Sequence, residues 1–249
     1  MKQGFTDIHT HILPSVDDGA QSVEAAVELL RLQKNSGVER VALTPHFYPQ
    51  IEDLAEFLAR REQAYAALMS QWEEDTMPQL QLGAEVHYSP ALVEMELEQL
   101  TLGSEKYLLL EMPDYEVPAY VEQVVEQILR KGIIPILAHV ERCAYFRSQP
   151  EMLLRLVQAG ALGQISARAL KDKKDRGFGE SCIKNGLGHI VASDLHNKIG
   201  KDPSLGELAE GKYEELMTWT ESFAKAVWNN TPLPPFVVSP VKKHILGYR

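Results

Sequence analysis

The sequence predicts a single-domain α/β protein, a parallel barrel of TIM type short by one βα unit. Three observations carry that expectation. Short β-rich runs alternate with amphipathic helical runs along the whole chain, the pattern of βα units around a parallel sheet. The length of 249 residues suits one α/β barrel. Residues that ligate metals or carry charge fall at the carboxyl ends of the predicted strands, where α/β barrels keep their chemistry.

The predicted strands, in order, are Thr6–His11, Val38–His46, Leu80–Tyr88, Tyr107–Met112, Ile133–Val140, Leu162–Ala167 and His189–His196. Between them, Ser22 is an N-cap for a helix in which Val23, Ala26, Val27 and Leu30 share a face until Gly37 ends it. Pro118 opens another, with Val121, Val124, Val125 and Ile128 on one side and Gly132 beyond its end. Longer amphipathic helices fit 53–74 and 212–229. The proline-rich stretch T-P-L-P-P-F-V-V-S-P from Thr231 is expected to lie extended on the surface. No internal repeat, low-complexity tract or linker divides the chain.

Composition narrows the function classes. An apolar content of 45% with 24% charged residues is that of a globular protein with a proper core. No apolar run approaches the roughly 18 residues of a transmembrane helix, and M-K-Q-G-F-T-D lacks the apolar stretch of a signal peptide, so a cytoplasmic location is expected. Two cysteines, Cys143 and Cys182, make no disulfide framework. A formal charge of −10 speaks against nucleic acid as a partner. The basic run K-D-K-K-D-R, Lys171 to Arg176, is interspersed with aspartates and is expected to be a solvated loop or helix start.

The strand ends carry the functional signal. His9 and His11 end the first, His46 the second, Glu85 marks the third, Glu111 the fourth, His139 the fifth, and Asp194 with His196 the seventh. The sixth offers only Ser166. A carboxylate after three leucines, as in L-L-L-E-M-P, must be paired or coordinated, because burying it bare is very costly. Imidazoles and carboxylates without thiolates suit Mn, Zn or Fe rather than a cysteine–zinc site. The candidates exceed one ion's coordination shell, which points to two or three divalent ions sharing carboxylates. Cysteine phosphatases need a thiolate in a loop closed by an arginine. Cys143 is followed by Arg147 only four residues on, and Cys182 has no arginine nearby, so both are expected to be inert.

The run D-I-H-T-H followed by D-D-G, T-P-H, G-A-E, L-L-E, A-H-V-E-R and S-D-L-H resembles the PHP (polymerase and histidinol phosphatase) superfamily. More closely it is similar to bacterial manganese-dependent protein tyrosine phosphatases encoded with capsular and exopolysaccharide genes. The resemblance spans residues from about 5 to 200. It implies a distorted (β/α)7 barrel with a trinuclear centre held by His9, His11, Asp18, His46, Glu85, Glu111, His139, Asp194 and His196. Asp18, seven residues after His11, matches the motif's ligand, which leaves Asp17 without an assigned role. Asp7 matches an acid that orients a ligand. Arg142 matches a phosphate-binding arginine. A second such arginine is expected after S-D-L-H-N, where this chain has Lys201, which keeps the charge but loses the bidentate fork. His87 stands where an aromatic is expected; alternation puts it on the face of Glu85, where it either lines the substrate mouth or is a rim residue with no chemical role. His189 and His244 are expected to be structural.

The implied reaction is hydrolysis of phosphotyrosine in a protein, a bacterial tyrosine kinase being the expected partner, by a water activated at the metal centre. Arg142 would bind phosphate, and His196 or a metal-bound water would supply a proton to the leaving group. A small-molecule phosphatase such as one for histidinol phosphate, or a phosphodiesterase, remains open on these motifs, because the ligands define the centre and the loops define the substrate. A metal-stabilised interaction module is the non-enzymatic alternative. The oligomeric state is not readable from the sequence.

Overall fold

Leucine, isoleucine and valine in short runs separated by amphipathic stretches form the strands and helices of a computed structural model that describes residues 4–103, 105–197, 205–244 and 247–248. In chain order the elements are β1 (Phe5–Asp7), α1 (Val23–Asn35), β2 (Val38–Leu43), β3 (His46–Phe47), α2 (Leu54–Met69), β4 (Gln79–Leu82), β5 (Glu85–His87) and β6 (Tyr107–Glu111). They continue with α3 (Val121–Arg130), β7 (Ile134–Leu137), α4 (Ala144–Ser148), α5 (Pro150–Ala159), β8 (Leu162–Ser166), α6 (Arg176–Lys184) and β9 (Ile190–Ala192). The last are α7 (Leu205–Leu208), α8 (Glu214–Asn229), β10 (Lys243–His244) and β11 (Gly247–Tyr248).

The strands make two parallel sheets, ordered β1-β2-β4 and β3-β5-β6-β7-β8-β9, beside a small antiparallel β10–β11 hairpin. Two predicted strands are each split between the sheets, which the periodicity does not reveal. The Val38–His46 run breaks at Thr44–Pro45, where Thr44 donates its N–H to Thr10 O at 2.9 Å and Pro45 has no N–H to offer. The Leu80–Tyr88 run breaks at Gly83, whose missing side chain leaves room for Leu102; an added Cβ would lie 2.6 Å from Leu102 Cδ2. Each change of neighbour turns the next side chains towards the interior. The segments that follow β1 and β9 are joined by an isolated parallel bridge between Thr10 and Leu195.

The helices follow from caps and spacing. Ser22 Oγ accepts from Ala25 N–H at 3.2 Å to start α1, and the Asp53 carboxylate accepts from Ala55 and Glu56 to start α2. α2 ends at Met69, short of the expected Glu74, and α3 starts at Val121 because Tyr120 is left-handed, with φ 58°. α5, with Pro150 in its first turn and Leu153, Leu156 and Val157 buried, and α6 were not among the predicted helices. No described helix is long and apolar enough to cross a membrane.

Alternation sorts the strand residues into two cores. Leu108, Leu110 and Leu137 face the surrounding helices. Tyr107, Leu109, Ile136, Ala138, Leu162, Ile190 and Ala192 face inwards, onto Phe223, Ala224 and Val227 of α8. α8 therefore packs under the amino ends of the strands, and the same inward column leads up to Glu111 and the candidate ligands at the carboxyl ends. The stretch 231–242 has no helix or strand and is pinned where Ser239 bonds Asn185 through both its N–H and its hydroxyl.

Candidate metal centre

The strand register determines which side chains meet. His46 of β3 lies opposite Glu85 of β5, and His87 of β5 lies opposite Glu111 of β6. Past the end of β1, the chain runs beside the chain past β9, with Asp194 N–H donating to His9 O at 3.0 Å and His11 N–H to Leu195 O at 2.8 Å. His9 and His11, two residues apart, therefore point the same way, and their Nε2 atoms are 3.1 Å apart.

Glu85, fully buried, sits at the centre. Its Oε2 lies 3.1 Å from His9 Nε2, 3.2 Å from His11 Nε2 and 3.1 Å from His46 Nδ1, while Oε1 is 2.9 Å from His139 Nε2. Asp194 Oδ1 is 3.3 Å from His9 Nε2 and 3.5 Å from His11 Nε2. Glu111 approaches His46 Nδ1 at 3.7 Å, and exposed Asp18 approaches His196 Nε2 at 3.4 Å and His46 Nε2 at 3.8 Å. All nine predicted ligand residues thus converge. They fall into overlapping groups whose donor atoms lie within 4.8 Å: His11, Asp18, His46 and His196; His9, Glu85 and His139; His9, His11 and Asp194; His46, Glu85 and Glu111.

The donor set fits divalent cations on its own chemistry. Glu85 Oε2, His46 Nδ1 and His139 Nδ1 are buried without a hydrogen-bond partner. Buried polar atoms left unsatisfied are costly, and a shared cation satisfies several lone pairs at once. Charge is strongly coupled here. Burial alone would raise the Glu85 carboxyl, but the imidazoles of His9, His11 and His139 around it hold it well below its ordinary range. Asp194 behaves alike, burial being outweighed by His9, His11 and Arg142. Burial lowers His11, yet its bonds to Asp17, Asp194 and Glu85 raise it well above the usual value. Glu85 and Asp194 are thus held as ionised carboxylates that attract positive charge.

Around these lie residues that aim the ligands. Asp17, whose role the sequence left open, accepts from His11 Nδ1 at 2.7 Å, from His46 N–H at 3.0 Å and from Gly19 N–H at 2.9 Å. The carboxylate bond fixes the hydrogen of His11 on Nδ1 and leaves Nε2 facing the cluster. Asp7 accepts from Ser193 N–H at 3.0 Å and from Gln33 Nε2 at 2.8 Å, so it braces the segment before Asp194 rather than an imidazole ring. His87 Nδ1 lies 3.0 Å from Glu111 Oε2, which makes it a neighbour of a candidate ligand as well as a partly exposed residue. Gln164 contacts both His9 and the backbone of His139. Neither Asp17 nor Gln164 carries a sequence signal of its own; their partners lie far off or are set by loop geometry.

A cavity of about 670 Å³ opens beside the cluster and is lined by Asp18, Arg142, Asp194, His196, Tyr115 and Arg168 among others. The Arg142 guanidinium donates to the Asp194 carboxylate from the cavity wall. Lys201 lies outside the described residues. A second cavity of about 740 Å³, between α6, α8 and the proline-rich stretch, contains none of the candidate ligands. Cys143 and Cys182 are buried, and burial pushes the Cys143 thiol up to about 12, so neither is an available nucleophile.

Comparison with known proteins agrees with this geometry. Residues 5–225 match the family model described as capsular polysaccharide synthesis, CpsB/CapC. The chain is 35% identical over 196 residues to the tyrosine-protein phosphatase YwqE of Bacillus subtilis, covering 77% of each chain. It is 29% identical over 233 residues to the putative tyrosine-protein phosphatase CapC of Staphylococcus aureus, covering 88% of this chain and 89% of that one. A solved structure from work on YwqE of Bacillus subtilis and CpsB of Streptococcus pneumoniae, described as unique metal-dependent tyrosine phosphatases, superposes with a TM-score of 0.82 at 28% identity. It covers 96% of this chain and all of that one. Histidinol phosphate phosphatase from Lactococcus lactis shares the fold alone, with a TM-score of 0.51 at 12% identity.

Proposed function

The chain belongs to the CpsB/CapC capsular polysaccharide synthesis family, and from that premise we propose that it is a metal-dependent protein tyrosine phosphatase built on a (β/α)7 barrel. The observation that carries the proposal is the convergence of five imidazoles and four carboxylates on buried Glu85, with Arg142 at the edge of an open cavity. His9, His11, Asp18, His46, Glu85, Glu111, His139, Asp194 and His196 would hold two or three ions. Manganese is the proposed metal, with iron or zinc compatible with the same donors. When bound, such ions act as Lewis acids on phosphate oxygens and make water nucleophilic near neutral pH.

The chain's own residues supply the rest. Arg142 presents a planar, permanently charged fork to the phosphate oxygens and neutralises charge that builds on them. Asp194, bonded to it, sets the angle of that fork. His196 stands at the cavity wall with Nδ1 2.9 Å from Asp194 O, which turns Nε2 towards the centre, and His196 or a water at the centre would supply the proton to the departing phenolate. A phenol's pKa of about 10 makes that group an easier leaving group than an alkoxide, so modest proton assistance suffices. We take the substrate to be phosphotyrosine in a protein, a cytoplasmic bacterial tyrosine kinase that controls capsule or exopolysaccharide synthesis being the expected partner. Lys201 and His87 are the proposed further contacts to substrate.

The test is a parallel assay with Mn²⁺ on a phosphotyrosine peptide, histidinol phosphate and a dinucleotide diester. The expected result is a kcat/KM at least about a hundredfold higher for the peptide. Faster turnover of histidinol phosphate or of the diester contradicts the assignment.

A further inference from the structure

β8 is the one strand of the larger sheet whose end supplies no candidate ligand, yet its third residue, Gln164, is fully buried among them. Gln164 Oε1 lies 2.8 Å from the backbone N of His139 and 3.2 Å from His9 Nδ1. A backbone N–H can only donate, so the atom it meets is the amide oxygen; this fixes which way round the Gln164 amide sits. An oxygen facing His9 Nδ1 in turn requires the hydrogen of that ring to be on Nδ1. The lone pair of the neutral ring is then on Nε2, the atom 3.1 Å from Glu85 Oε2 and 3.3 Å from Asp194 Oδ1.

The same oxygen constrains a second ligand. His139 has φ 31°, a positive value that L-residues rarely adopt and that persists only where the surroundings enforce it. Its N–H is held by the Gln164 side chain, and the next residue, Val140, donates its N–H to Gln164 O at 3.1 Å. Gln164 thus clamps the turn after β7 with its side chain and its main chain, while its side chain also orients the ring of His9. His9 and His139 share one donor group with Glu85.

We propose that Gln164 is a positioning residue of the metal centre, setting the tautomer of His9 and the backbone of His139 through one amide oxygen. The proposal rests on the metal reading above and adds to it a residue that touches neither metal nor substrate. It gives the ligand-free strand its part in the site.

The test compares Gln164→Met, which removes the acceptor at similar volume, with Gln164→Glu, which keeps an acceptor oxygen, in the full chain. Titration calorimetry with Mn²⁺ is expected to show affinity about 10- to 100-fold weaker for the Met variant, the usual effect of losing a residue that orients a ligand. The Glu variant is expected to stay within about threefold of the parent. In long-range ¹H–¹⁵N spectra of the metal-free protein, His9 is expected to read as Nδ1–H in the parent and to lose that signature in the Met variant. Parent-like Mn²⁺ affinity in the Met variant, or equal weakening in both variants, overturns the proposal. Should the Met variant fail to fold, Gln164→Asn, whose oxygen is drawn back by one methylene, takes its place with the same expectation. A parent protein that takes up no Mn²⁺ contradicts the metal reading itself, a result distinct from failure of the Gln164 role.

Discussion

At the scale of single residues, Glu85 organises the site. It is buried, it touches four imidazoles, and its charge is stabilised by them. Glu85→Gln keeps the shape but removes the charge that draws cations in. It is expected to lose at least one equivalent of bound metal, measured by elemental analysis, and with it more than about 90% of the activity. Arg142→Ala is expected to raise the inhibition constant for inorganic phosphate about tenfold or more while metal content stays that of the parent; a fall in metal content would show that Arg142 serves Asp194 rather than phosphate. Eight of the nine proposed ligands were legible from their places at the ends of apolar predicted strands, and exposed Asp18 only through the resemblance. Asp17 and Gln164 were not, because what distinguishes them is a single hydrogen-bond partner brought close by folding. His87 was legible as a residue on the face of Glu85, but its bond to Glu111 belongs to the register between β5 and β6.

At the scale of elements, the existence of strands and helices was readable and their ends were not. The predicted strands ran through the ligand residues, whereas β1, β7 and β9 stop short of His9, His139 and Asp194. Ladder bonding ends there, and these three ligands stand on the short irregular segments that follow, whereas His46, Glu85 and Glu111 lie within β3, β5 and β6. The splits at Thr44–Pro45 and at Gly83 exchange one sheet for the other. Pro45 is visible in the sequence, but the change of partner strand is a tertiary fact.

The junction of α8 with the end of the proline-rich stretch gives a pH test. His189 was expected to be structural, and it is buried against Trp219 and Phe223 of α8 and against Phe236, with Nδ1 accepting from Gly163 N–H at 3.0 Å. Burial lowers its pKa to about 4. Between about 6.5 and about 4 the unfolded chain therefore binds the proton that the folded chain refuses, so stability falls as pH falls through that window. The contribution is on the order of 2 kcal/mol between pH 7 and 5. His189→Gln is expected to reduce the difference between urea midpoints at those two pH values by a corresponding amount. An unchanged difference would show that His189 does not titrate as its surroundings dictate. Phe223→Ala, which empties the inward column above α8, is expected to cost about 3–5 kcal/mol in the same measurement.

At the scale of the whole molecule, a formal charge of −10 coexists with a buried carboxylate cluster, and the two are related. Bound cations neutralise part of that charge in place, and binding to the folded state alone stabilises it by mass action. At a hundredfold excess over Kd the gain is about 2.7 kcal/mol, or a rise of about 5–10 °C in the melting temperature. Calorimetry with and without Mn²⁺ measures it, and a melting temperature indifferent to metal would contradict a site that binds only when folded. The α/β class was legible from the alternation of patterns, and the convergence of distant residues such as His9 and Asp194 from their places at strand ends. The substrate was not, because the loops that frame the 670 Å³ cavity carry no spacing rule of their own.

The most direct test of the central claim is to strip the protein with chelator, return Mn²⁺ in measured equivalents, and follow hydrolysis of a phosphotyrosine peptide alongside bound metal. A metal-requiring centre predicts a silent stripped protein whose activity returns with bound Mn²⁺ and saturates at two or three ions per chain. Hydrolysis that survives stripping, or a fully loaded protein inert on the peptide, would contradict it.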